Sequence, residues 1–552
     1  MAHITKLSIK NYRGIKDLTQ DFGSEKFIVL IGRGDSGKST ILSAIYAVLS
    51  PSWNLSFSDL DFYNQDTSQP IEIEVVIREL PQELLAEKRC GLYVQNDLDR
   101  EEVEESEIFI IVRLYVDETL EPHWVVKART DSGIEDKPLS SAERAMLSVN
   151  YITDYSDNQF AYNRQSPLYA LTKASLADGN TIEHVKSALI RSMSKSVDKE
   201  LLEPLNAPME SLKKTAKKLG LNVTDLCAQM DIKENPYTGN SIALHHDSVP
   251  YRLNGKGSKR LMSIAIQSEL TRQGGIVLID EIEQGLEPDR IITLVRLLKA
   301  TSSGQVFITT HSINVLIEVS WRNIYITRKE EQYLLPIGED LEACRRTQPQ
   351  AFYAKKIICC EGKTEVGFLR SIDSWLSQNR FTTFSANGAV VIDSNGGANM
   401  YNYAIKLKQL GYDTLIWGDD DNSEELSRHK QRAIDEDIPT ILCQQGNCLE
   451  RQLFMDLPWE SFKEILRCPQ KDFPKHCINV TEESLLALET NSSEEQGRLR
   501  EEYTKKATEE KWFKHIPGGE FLCNVTMRAY DSLSDESTTK MNIQSFLKWL
   551  NV

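Results

Sequence analysis

A glycine-rich loop near the start of the chain constrains its fold more than any other feature. An apolar run at 28–31 leads into Gly-Arg-Gly-Asp-Ser-Gly-Lys-Ser at 32–39, and a helix-like run at 40–49 follows. This order matches the G-x4-G-K-[ST] phosphate loop, in which backbone N–H groups surround a polyphosphate, the lysine adds charge and the hydroxyl reaches Mg²⁺. We therefore predict an α/β fold that binds a nucleoside triphosphate. The predicted nucleotide-binding residues are Gly32, Arg33, Gly34, Asp35, Ser36, Gly37, Lys38, Ser39 and Thr40, with Ser39 also a metal ligand.

Length and composition indicate several globular domains. The chain has 552 residues, of which 40% are hydrophobic and 26% charged, and a typical domain has about 150 residues. The opening Met-Ala-His-Ile-Thr-Lys lacks a signal pattern, and no apolar run approaches the ~20 residues of a membrane span, so we expect a cytoplasmic protein without membrane contact. The net charge of −17 argues against a protein that coats DNA indiscriminately, so any nucleic-acid contact must come from local basic patches.

A second apolar run ends in two carboxylates. Gly-Ile-Val-Leu-Ile at 275–279 leads to Asp280 and Glu281, the pattern of a buried parallel strand with acids at its carboxyl end. Asp280 is expected to hold the Mg²⁺ shell, and Glu281 to polarise the water that attacks the γ-phosphate. Alone this pattern is common, but together with the phosphate loop it predicts an ATPase.

Three further segments bear on the class of ATPase. Ser258 lies in Asn-Gly-Lys-Gly-Ser at 254–258, which opens a helical run and offers a second anion site for the γ-phosphate of a nucleotide held by a partner subunit. Gly-Leu-Glu-Pro-Asp follows the acidic pair at 285–289. His311 follows an apolar strand and is placed to sense the γ-phosphate. Each segment alone has an ordinary interpretation, as a helix cap, a turn or a core histidine.

In this order the segments resemble the ABC-type ATPases of the SMC and RecF-like group, and Leu-Ser-Ile-Lys-Asn-Tyr-Arg-Gly-Ile at 7–15 resembles their first strand. Asn-Gly-Lys-Gly, in place of Leu-Ser-Gly-Gly, points away from transporters. The resemblance implies a homodimer or higher homo-oligomer in which Ser258 of one chain faces the nucleotide at Lys38 of another. It also implies a glutamine loop near 57–65, for which Gln65 is the candidate.

A long segment separates the phosphate loop from Ser258. Residues 71–77 and 108–116 are predicted strands, separated by an acidic loop at 97–107, and residues from about 140 to 235 turn helical. One basic helical face combines Lys213, Lys214, Lys217 and Lys218. That face is either simply solvated or in contact with a phosphate backbone. In related ATPases the matching insertion is a helical dimerisation element, and we expect that role here.

A different chemistry is predicted after residue 328. Residues 355–361 form an apolar strand that ends at a glutamate, and residues 411–421 form another that ends in an Asp-x-Asp array. Carboxylates at neighbouring strand ends can approach one Mg²⁺, which prefers oxygen ligands. Asp393 follows a third strand, either as a ligand or as a cap of the next turn. The acidic candidates are Glu361, Glu365, Asp393, Asp419, Asp421 and Glu450.

This ordered set of acids resembles the Toprim fold of topoisomerases, primases and nucleases. An ABC-type ATPase followed by Toprim is the architecture of the OLD (overcoming lysogenization defect) family of nucleases, which includes the Gabija nuclease and effectors encoded beside retron reverse transcriptases. The resemblance implies ATP-controlled, Mg²⁺- or Mn²⁺-dependent DNA cleavage in antiphage defence. It also implies a defence partner, either a helicase or a reverse transcriptase with noncoding RNA. The implied ligands are Glu361, Asp419 and Asp421, with Glu365 and Glu450 at a second metal.

The family also uses a C-terminal lysine near the scissile phosphate. Lys-Trp-Phe-Lys-His-Ile-Pro at 511–517 resembles that element, with Lys514 as the candidate and Lys511 as its rival. The alternative function is a nucleotide-driven scaffold or DNA-repair ATPase with an inactive Toprim domain. The predicted domains are an ATPase at 1–140 and 236–340, a helical insertion at 141–235, a Toprim core with a parallel sheet at 345–460, and a helical part at 461–552 that completes the nuclease site.

Overall fold

The protein was studied as a computed structural model. It describes residues 2–96, 108–128, 135–152, 157–162, 166–175, 185, 208–230, 242–271, 275–301, 304–328, 334–420, 424–444, 446–467, 488 and 492–552. The chain divides into two compact units, Met1–Ile337 and Gly338–Val552, which we describe separately. The predicted acidic loop at 97–107 and Asp421 lie outside the described residues. Within those residues, no helix is both long and apolar enough to cross a membrane.

A mostly parallel sheet forms the centre of the first unit. Its order is β15-β14-β3-β13-β12-β8, and only β15 runs antiparallel to its neighbour. The strands are β3 (Phe27–Ile31), β8 (Val149–Ile152), β12 (Ile276–Ile279), β13 (Gln305–Thr309), β14 (Ile324–Thr327) and β15 (Leu334–Pro336). Since parallel strands end at one edge, the phosphate loop after β3 and the acidic pair after β12 share that edge.

A second, antiparallel sheet has the order β2-β1-β4-β5-β6-β7. The strands are β1 (His3–Tyr12), β2 (Ile15–Asp21), β4 (Ile71–Arg78), β5 (Phe109–Val116), β6 (Pro122–Val126) and β7 (Lys137–Pro138). In β4 and β5 buried and half-buried positions alternate at every step, as expected for a sheet with one covered face. The strands predicted at 71–77 and 108–116 are therefore confirmed.

The buried amide of Gln305 joins the two sheets. Its Oε1 accepts from the Ile4 backbone N–H at 2.7 Å, and its Nε2 donates to the carbonyl oxygens of Ile4 and Glu25, both at 2.9 Å. A buried amide must satisfy its donors and acceptor, and here backbone groups from two strand ends do so. The first strand is thereby fixed to β13, next to the phosphate-loop strand.

Helices and a small sheet complete the first unit. The helices are α1 (Lys38–Leu49), α2 (Ser141–Met146), α3 (Pro167–Ser175), α4 (Met209–Lys218), α5 (Lys256–Thr271), α6 (Pro288–Thr301) and α7 (Ile313–Glu318). The small sheet has the order β11-β10-β9, with β9 (Leu226–Met230), β10 (Ile242–His246) and β11 (Val249–Pro250). The structure differs from the predicted helical insertion at 141–235, because β8 and β9 lie within it and β8 pairs with β12 in the central sheet. Four residues are too few for periodicity to distinguish a strand.

The second unit is built on a wholly parallel sheet of order β17-β16-β18-β19. Its strands are β16 (Lys356–Cys360), β17 (Ala389–Asp393), β18 (Asp413–Gly418) and β19 (Thr440–Leu442). Its helices are α8 (Glu342–Thr347), α9 (Lys363–Asn379), α10 (Gly397–Gln409), α11 (Glu424–Asp435), α12 (Leu449–Asp456), α13 (Trp459–Leu466), α14 (Ser493–Glu509), α15 (Ile516–Arg528) and α16 (Thr538–Leu550). The predicted parallel sheet is present, and α13 to α16 follow it as the predicted helical part.

Two glycines allow α9 and α15 to pack backbone against backbone. A Cβ added at Gly367 would overlap the carbonyl oxygen of Ile516, and one added at Gly519 would overlap that of Thr364. The Thr364 hydroxyl also donates to the Phe513 carbonyl oxygen at 3.0 Å. This close crossing fixes the turn that precedes α15 against the first turn of α9.

We predict that Gly519→Ala destabilises the second unit by about 1–3 kcal/mol, the usual cost of overpacking a filled contact. Gly497 on α14 is a matched control, because a Cβ there meets open space. Gly497→Ala should stabilise the helix by up to about 1 kcal/mol, since glycine is the poorer helix former. Urea unfolding measures both. Equal stability of the two variants would contradict the close crossing.

Candidate functional site

The phosphate loop lines a cavity in the first unit. The loop connects β3 to α1, and its Gly37 has a left-handed φ of 94° directly before the helix. The cavity has a volume of ≈ 400 Å³. It is lined by Gly14, Ile15, Leu18, Gly34, Asp35, Ser36, Gly37, Lys38, Ser39, Thr40, Ile41, Glu281, His311, Thr327, Arg328 and Leu334. Most of the predicted loop residues therefore face one space, together with two of the predicted catalytic residues.

Lys38 is held inside the loop. Only 5% of the residue is exposed, and Nζ donates to the carbonyl oxygens of Gly32 at 3.0 Å and Arg33 at 2.8 Å. Burial lowers the pKa of Lys38, and the charges of Asp280 and Glu281 oppose this shift. Gly32 and Arg33 thus contribute through their backbone, by keeping the ammonium group at the position that phosphates would occupy.

Side chains from the first turn of α1 and from the ends of β12 and β13 meet at Asp280. Ser39 Oγ donates to Asp280 Oδ1 at 2.9 Å, and Thr309 Oγ1 donates to the same oxygen at 2.6 Å. The Glu281 backbone N–H in turn donates to Thr309 Oγ1 at 2.7 Å. The two predicted metal-shell residues are therefore in direct contact. Thr309 was not predicted as a site residue, although it ends a predicted strand, β13.

Glu281 and His311 lie at the mouth of the cavity. Glu281 has a left-handed φ of 48°, which turns its exposed side chain away from the strand direction. Glu283 accepts from the His311 backbone N–H at 2.5 Å and from the Thr310 hydroxyl at 2.6 Å, which fixes the turn that carries the imidazole. Burial and the nearby Lys38 charge lower the pKa of His311, so its ring is neutral near pH 7. A neutral imidazole can donate one hydrogen bond to a phosphate oxygen.

Arg260 connects the acidic pair to the helix that begins near Ser258. Its buried guanidinium, on α5, donates to the carbonyl oxygens of Asp280 and, at 3.2 Å, Glu281. A Cβ at Gly257 would lie 2.5 Å from the carbonyl oxygen of Gly285, so the start of α5 also packs directly on the following turn. Sequence reasoning missed Arg260, since a single arginine in a helix gives no local signal.

Five predicted nucleotide ligands do not line this cavity: Gly32, Arg33 and Asp280, which are hydrogen-bonded to the lining residues Lys38 and Ser39, and also Ser258 and Gln65. Ser258, in the first turn of α5, and the exposed Gln65 do not line it in the part of the chain that the structure describes. For Ser258 this fits the expectation that it serves a partner's nucleotide. Gln65 remains a prediction. Thr327, the last residue of β14, and Arg328, which follows it, do line the cavity and were not predicted.

In the second unit, carboxylates gather at the carboxyl edge of the parallel sheet. Glu361 follows β16 and Asp419 follows β18, while Glu365 and Glu450 lie in the first turns of α9 and α12. The Asp419 backbone N–H donates to Glu361 Oε2 at 3.3 Å. Asp419 Oδ1 accepts from the Leu449 backbone N–H at 2.7 Å, which links β18 to the helix that carries Glu450.

Burial makes this cluster electrostatically strained. Glu365 and Glu450 are each 2% exposed, and Asp419 is 9% exposed. Burial and neighbouring carboxylates raise the pKa of Asp419 to about 8. Burial likewise raises the pKa of Glu365 to about 7, against the nearby Lys514 charge. The pKa of a buried carboxylate rises in this way when nearby positive charge is too small to balance the neighbouring negative charges.

Lys514 supplies positive charge to the cluster. Its Nζ lies 3.4 Å from Glu450 Oε2 and 3.6 Å from Asp419 Oδ2. Burial opposes its charge, but Glu450 and Asp419 raise the pKa of Lys514 well above its usual value. The ammonium group therefore stays charged. Of the two candidate lysines, Lys514 rather than Lys511 therefore lies beside the carboxylates.

The chemistry of the cluster suits a divalent cation. Glu365 Oε1 is buried without a hydrogen-bond partner, and the surrounding ligands are all oxygens, as Mg²⁺ and Mn²⁺ prefer. Among the described residues no three acidic, histidine or cysteine side chains already converge on one metal position. Asp419 and Glu450 approach Lys514 instead, and the predicted ligand Asp421 lies outside those residues.

Asp393 has a local role in the structure. Its Oδ1 accepts from the Asn395 backbone N–H at 2.9 Å, so it caps the turn after β17. Gln348 holds the same residue by two further bonds, donating from Nε2 to its carbonyl oxygen at 2.6 Å and accepting from its N–H at 2.8 Å. Of the two interpretations of Asp393, the geometry supports the cap.

Comparisons with known protein families match both units. Residues 3–119 match an AAA ATPase domain, and residues 108–318 match the family described as "AAA domain, putative AbiEii toxin, Type IV TA system". Residues 352–421 match the family described as "Overcoming lysogenization defect protein-like, TOPRIM domain". The first unit is thus an ATPase domain, and the second contains a Toprim domain, the fold found in metal-dependent nucleases.

Similar individual proteins match about three-fifths of the chain. A curated protein from Helicobacter pylori, named ATP/GTP phosphatase, is 23% identical over an aligned length of 391 residues, and the match covers 61% of this chain and 97% of the relative. The SMC head domain of Pyrococcus furiosus, solved with the C-terminal domain of ScpA, has a TM-score of 0.39 at 14% identity, covering 60% of this chain and 95% of that one. The recombination mediator RecF with ATP has a TM-score of 0.38 at 12% identity, covering 61% and 98%.

The order of domains completes the assignment. An AAA-type ATPase, which uses a nucleotide, precedes an OLD-like Toprim domain, which uses a divalent metal, in one chain. These matches support an ATPase–Toprim protein of the OLD (overcoming lysogenization defect) type.

Proposed function

We propose that the protein is an ATP-regulated, Mg²⁺- or Mn²⁺-dependent DNA endonuclease of a bacterial antiphage defence system. The observation that carries the proposal is the buried carboxylate cluster around Lys514 at the edge of the parallel sheet. Such a cluster costs stability unless a cation relieves it, and this favours a metal-binding role over a purely structural one. The OLD-like Toprim match supports DNA as the substrate.

The residues of the second unit divide into roles by position. Glu361, Asp419 and Asp421 would hold one metal ion, and Glu365 and Glu450 a second. Bound Mg²⁺ or Mn²⁺ would activate water and stabilise the leaving 3′ oxygen. Lys514 would neutralise the scissile phosphate, a role supported by the position of its ammonium group within 3.6 Å of the carboxylates of Asp419 and Glu450. The residues of β18 and α12 keep these oxygens at fixed separation through the bond from Leu449 to Asp419.

In the first unit, ATP turnover follows from the contacts at the cavity. Lys38 would exchange its backbone partners for β- and γ-phosphate oxygens, while Ser39 and Asp280 share a Mg²⁺ shell. Glu281 would polarise the attacking water, and His311 would donate to the γ-phosphate. Ser258 of a second copy would close the site, with the insertion at 141–235 as the dimerisation element. Candidate defence partners are a helicase, or a reverse transcriptase with noncoding RNA.

We predict that Lys38→Ala abolishes ATP binding, because the loop loses the ammonium group at its centre. Lys88→Ala, which removes an exposed lysine of the same unit, is the control and should bind ATP normally. Glu281→Gln should still bind ATP but turn it over at least about a hundredfold more slowly, as expected for a lost general base. Calorimetry and phosphate release measure these effects. Normal ATP affinity of Lys38→Ala would refute the assigned nucleotide site.

We predict that Asp419→Asn combined with Asp421→Asn abolishes metal-dependent cleavage, by more than about a hundredfold. Asparagine keeps an acceptor for the Leu449 N–H, so the fold should persist. The metal-free variant should gain stability through reduced repulsion, and should lose the stabilisation that Mn²⁺ gives the wild type. Plasmid cleavage and thermal unfolding with and without Mn²⁺ measure these changes.

The matched control is Asp435→Asn with Asp437→Asn, an exposed pair with the same spacing and the same change in charge. It should cleave like the wild type. Undiminished cleavage by the Asp419 and Asp421 variant would exclude the Toprim site as the nuclease centre. Absence of cleavage by every form, with normal ATP turnover, would favour the alternative of an ATPase scaffold.

We predict a homodimer or higher oligomer, because Ser258 does not face the cavity of its own chain. Light scattering at micromolar concentration should give at least twice the monomer mass. Deletion of residues 176–207 from the insertion should reduce this mass if the insertion holds the subunits together. A monomer in the wild type, both with and without ATP, would contradict a composite nucleotide site.

A further inference from the structure

Helix α4 is fixed to α5 by one of its faces. Leu212 and Ala216 are fully buried on that face. The Ser211 hydroxyl donates to Glu269 Oε2 at 2.6 Å, and the Thr215 hydroxyl donates to Oε1 of the same carboxylate. Glu269 is 9% exposed, so these bonds are shielded from water. A buried carboxylate that accepts from two hydroxyls on one helix fixes that helix in both position and rotation.

The opposite face of α4 concentrates positive charge. Lys214, Lys217 and Lys218 are exposed and Lys213 is half-buried. None of the four forms an ion pair with a carboxylate among the described residues. The i, i+4 spacing places two like-charged pairs side by side, each of which destabilises a helix by about 0.2–0.5 kcal/mol. This concentration of lysines stands out in a chain with a net charge of −17.

We propose that this basic face of α4 binds the phosphate backbone of duplex DNA, and that Glu269 transmits the binding to the ATPase site. The inference rests on the proposed function for its substrate, and adds the surface that holds it. Lysine point charges neutralise phosphates without reading bases. Sites for single strands combine such charges with aromatic side chains on which bases stack, and α4 has none. A two-fold contact centred on this face would place the lysines against one another, so this face is a poor site for the dimer contact proposed for the insertion.

The transmission follows from the position of Glu269. It lies near the end of α5, whose first turn carries Ser258 and whose Arg260 contacts the backbone of Asp280 and Glu281. DNA bound to α4 would therefore act, through Glu269, on α5, the helix whose Arg260 contacts the backbone of Asp280 and Glu281. Duplex DNA should thus change the rate of ATP turnover.

The binding surface is tested by Lys214→Gln with Lys218→Gln. Its control is Lys505→Gln with Lys506→Gln, which changes the net charge equally on α14 but removes lysines that are paired with Glu509 and Glu502. A labelled duplex of arbitrary sequence is titrated with protein in EDTA at several salt concentrations. The α4 variant should bind on the order of tenfold more weakly, and the slope of log K against log salt should fall by about 0.9 for each lost phosphate contact. The control should match the wild type.

Wild-type affinity and salt slope in the α4 variant would overturn the binding surface. So would a loss of binding to single-stranded RNA with duplex binding unchanged. These outcomes are independent of cleavage, which plasmid assays measure separately. If no form of the protein cleaves but the α4 variant loses duplex binding, the nuclease proposal fails and the binding surface stands.

The transmission is tested by Glu269→Ala, with Glu269→Gln as the conservative variant. The alanine variant should bind duplex DNA but lose the effect of DNA on ATP turnover. Glutamine retains an acceptor for the hydroxyls and should restore that effect. Circular dichroism checks that both variants fold. An equal effect of DNA on turnover in Glu269→Ala and wild type, or no effect in the wild type, would overturn the transmission.

Discussion

Burial of several carboxylates around the Lys514 ammonium group is the interaction on which the proposed nuclease centre depends. In a medium of low dielectric constant, neighbouring negative charges repel strongly, and the raised pKa values of Asp419 and Glu365 express that repulsion. Contacts outside the cluster hold these carboxylates and Lys514 together despite the repulsion. The close crossing of α9 and α15 fixes the turn that carries Lys514, and the hydrogen bond from the Leu449 N–H holds Asp419 in place.

The nucleotide site of the first unit also lies at the carboxyl edge of a parallel sheet, but its electrostatic environment differs. Parallel strands again deliver polar side chains to one edge, but here hydroxyl groups surround the carboxylate. Asp280 accepts from both Ser39 and Thr309, so its charge is already partly solvated by the protein. Arg260 adds two bonds to the backbone behind it. The nucleotide site is therefore preorganised, whereas the second site keeps an excess of negative charge.

The parts of these sites that depend on the order of neighbouring residues could be predicted from the sequence. The phosphate loop and the acid after β12 were predicted because each follows an apolar strand, and their contact at Ser39 and Asp280 follows from the shared sheet edge. Gln305 and Arg260 could not be predicted, since their importance arises from backbone groups at least twenty residues away. The four-residue strand β8 was taken for helix because its pairing with β12 is visible only in three dimensions.

The choice between Lys511 and Lys514 also needed the structure, because it depends on the turn before α15. The central proposal for this protein is that its second unit is a metal-dependent DNA endonuclease under the control of ATP. The most direct measurement is incubation of the wild-type protein with supercoiled plasmid in Mg²⁺ or Mn²⁺, with and without ATP, and in EDTA. The account predicts nicked or linear plasmid with either metal, at a rate that ATP changes, and intact plasmid in EDTA. Intact plasmid under every condition, from protein that binds ATP and Mn²⁺, would contradict it.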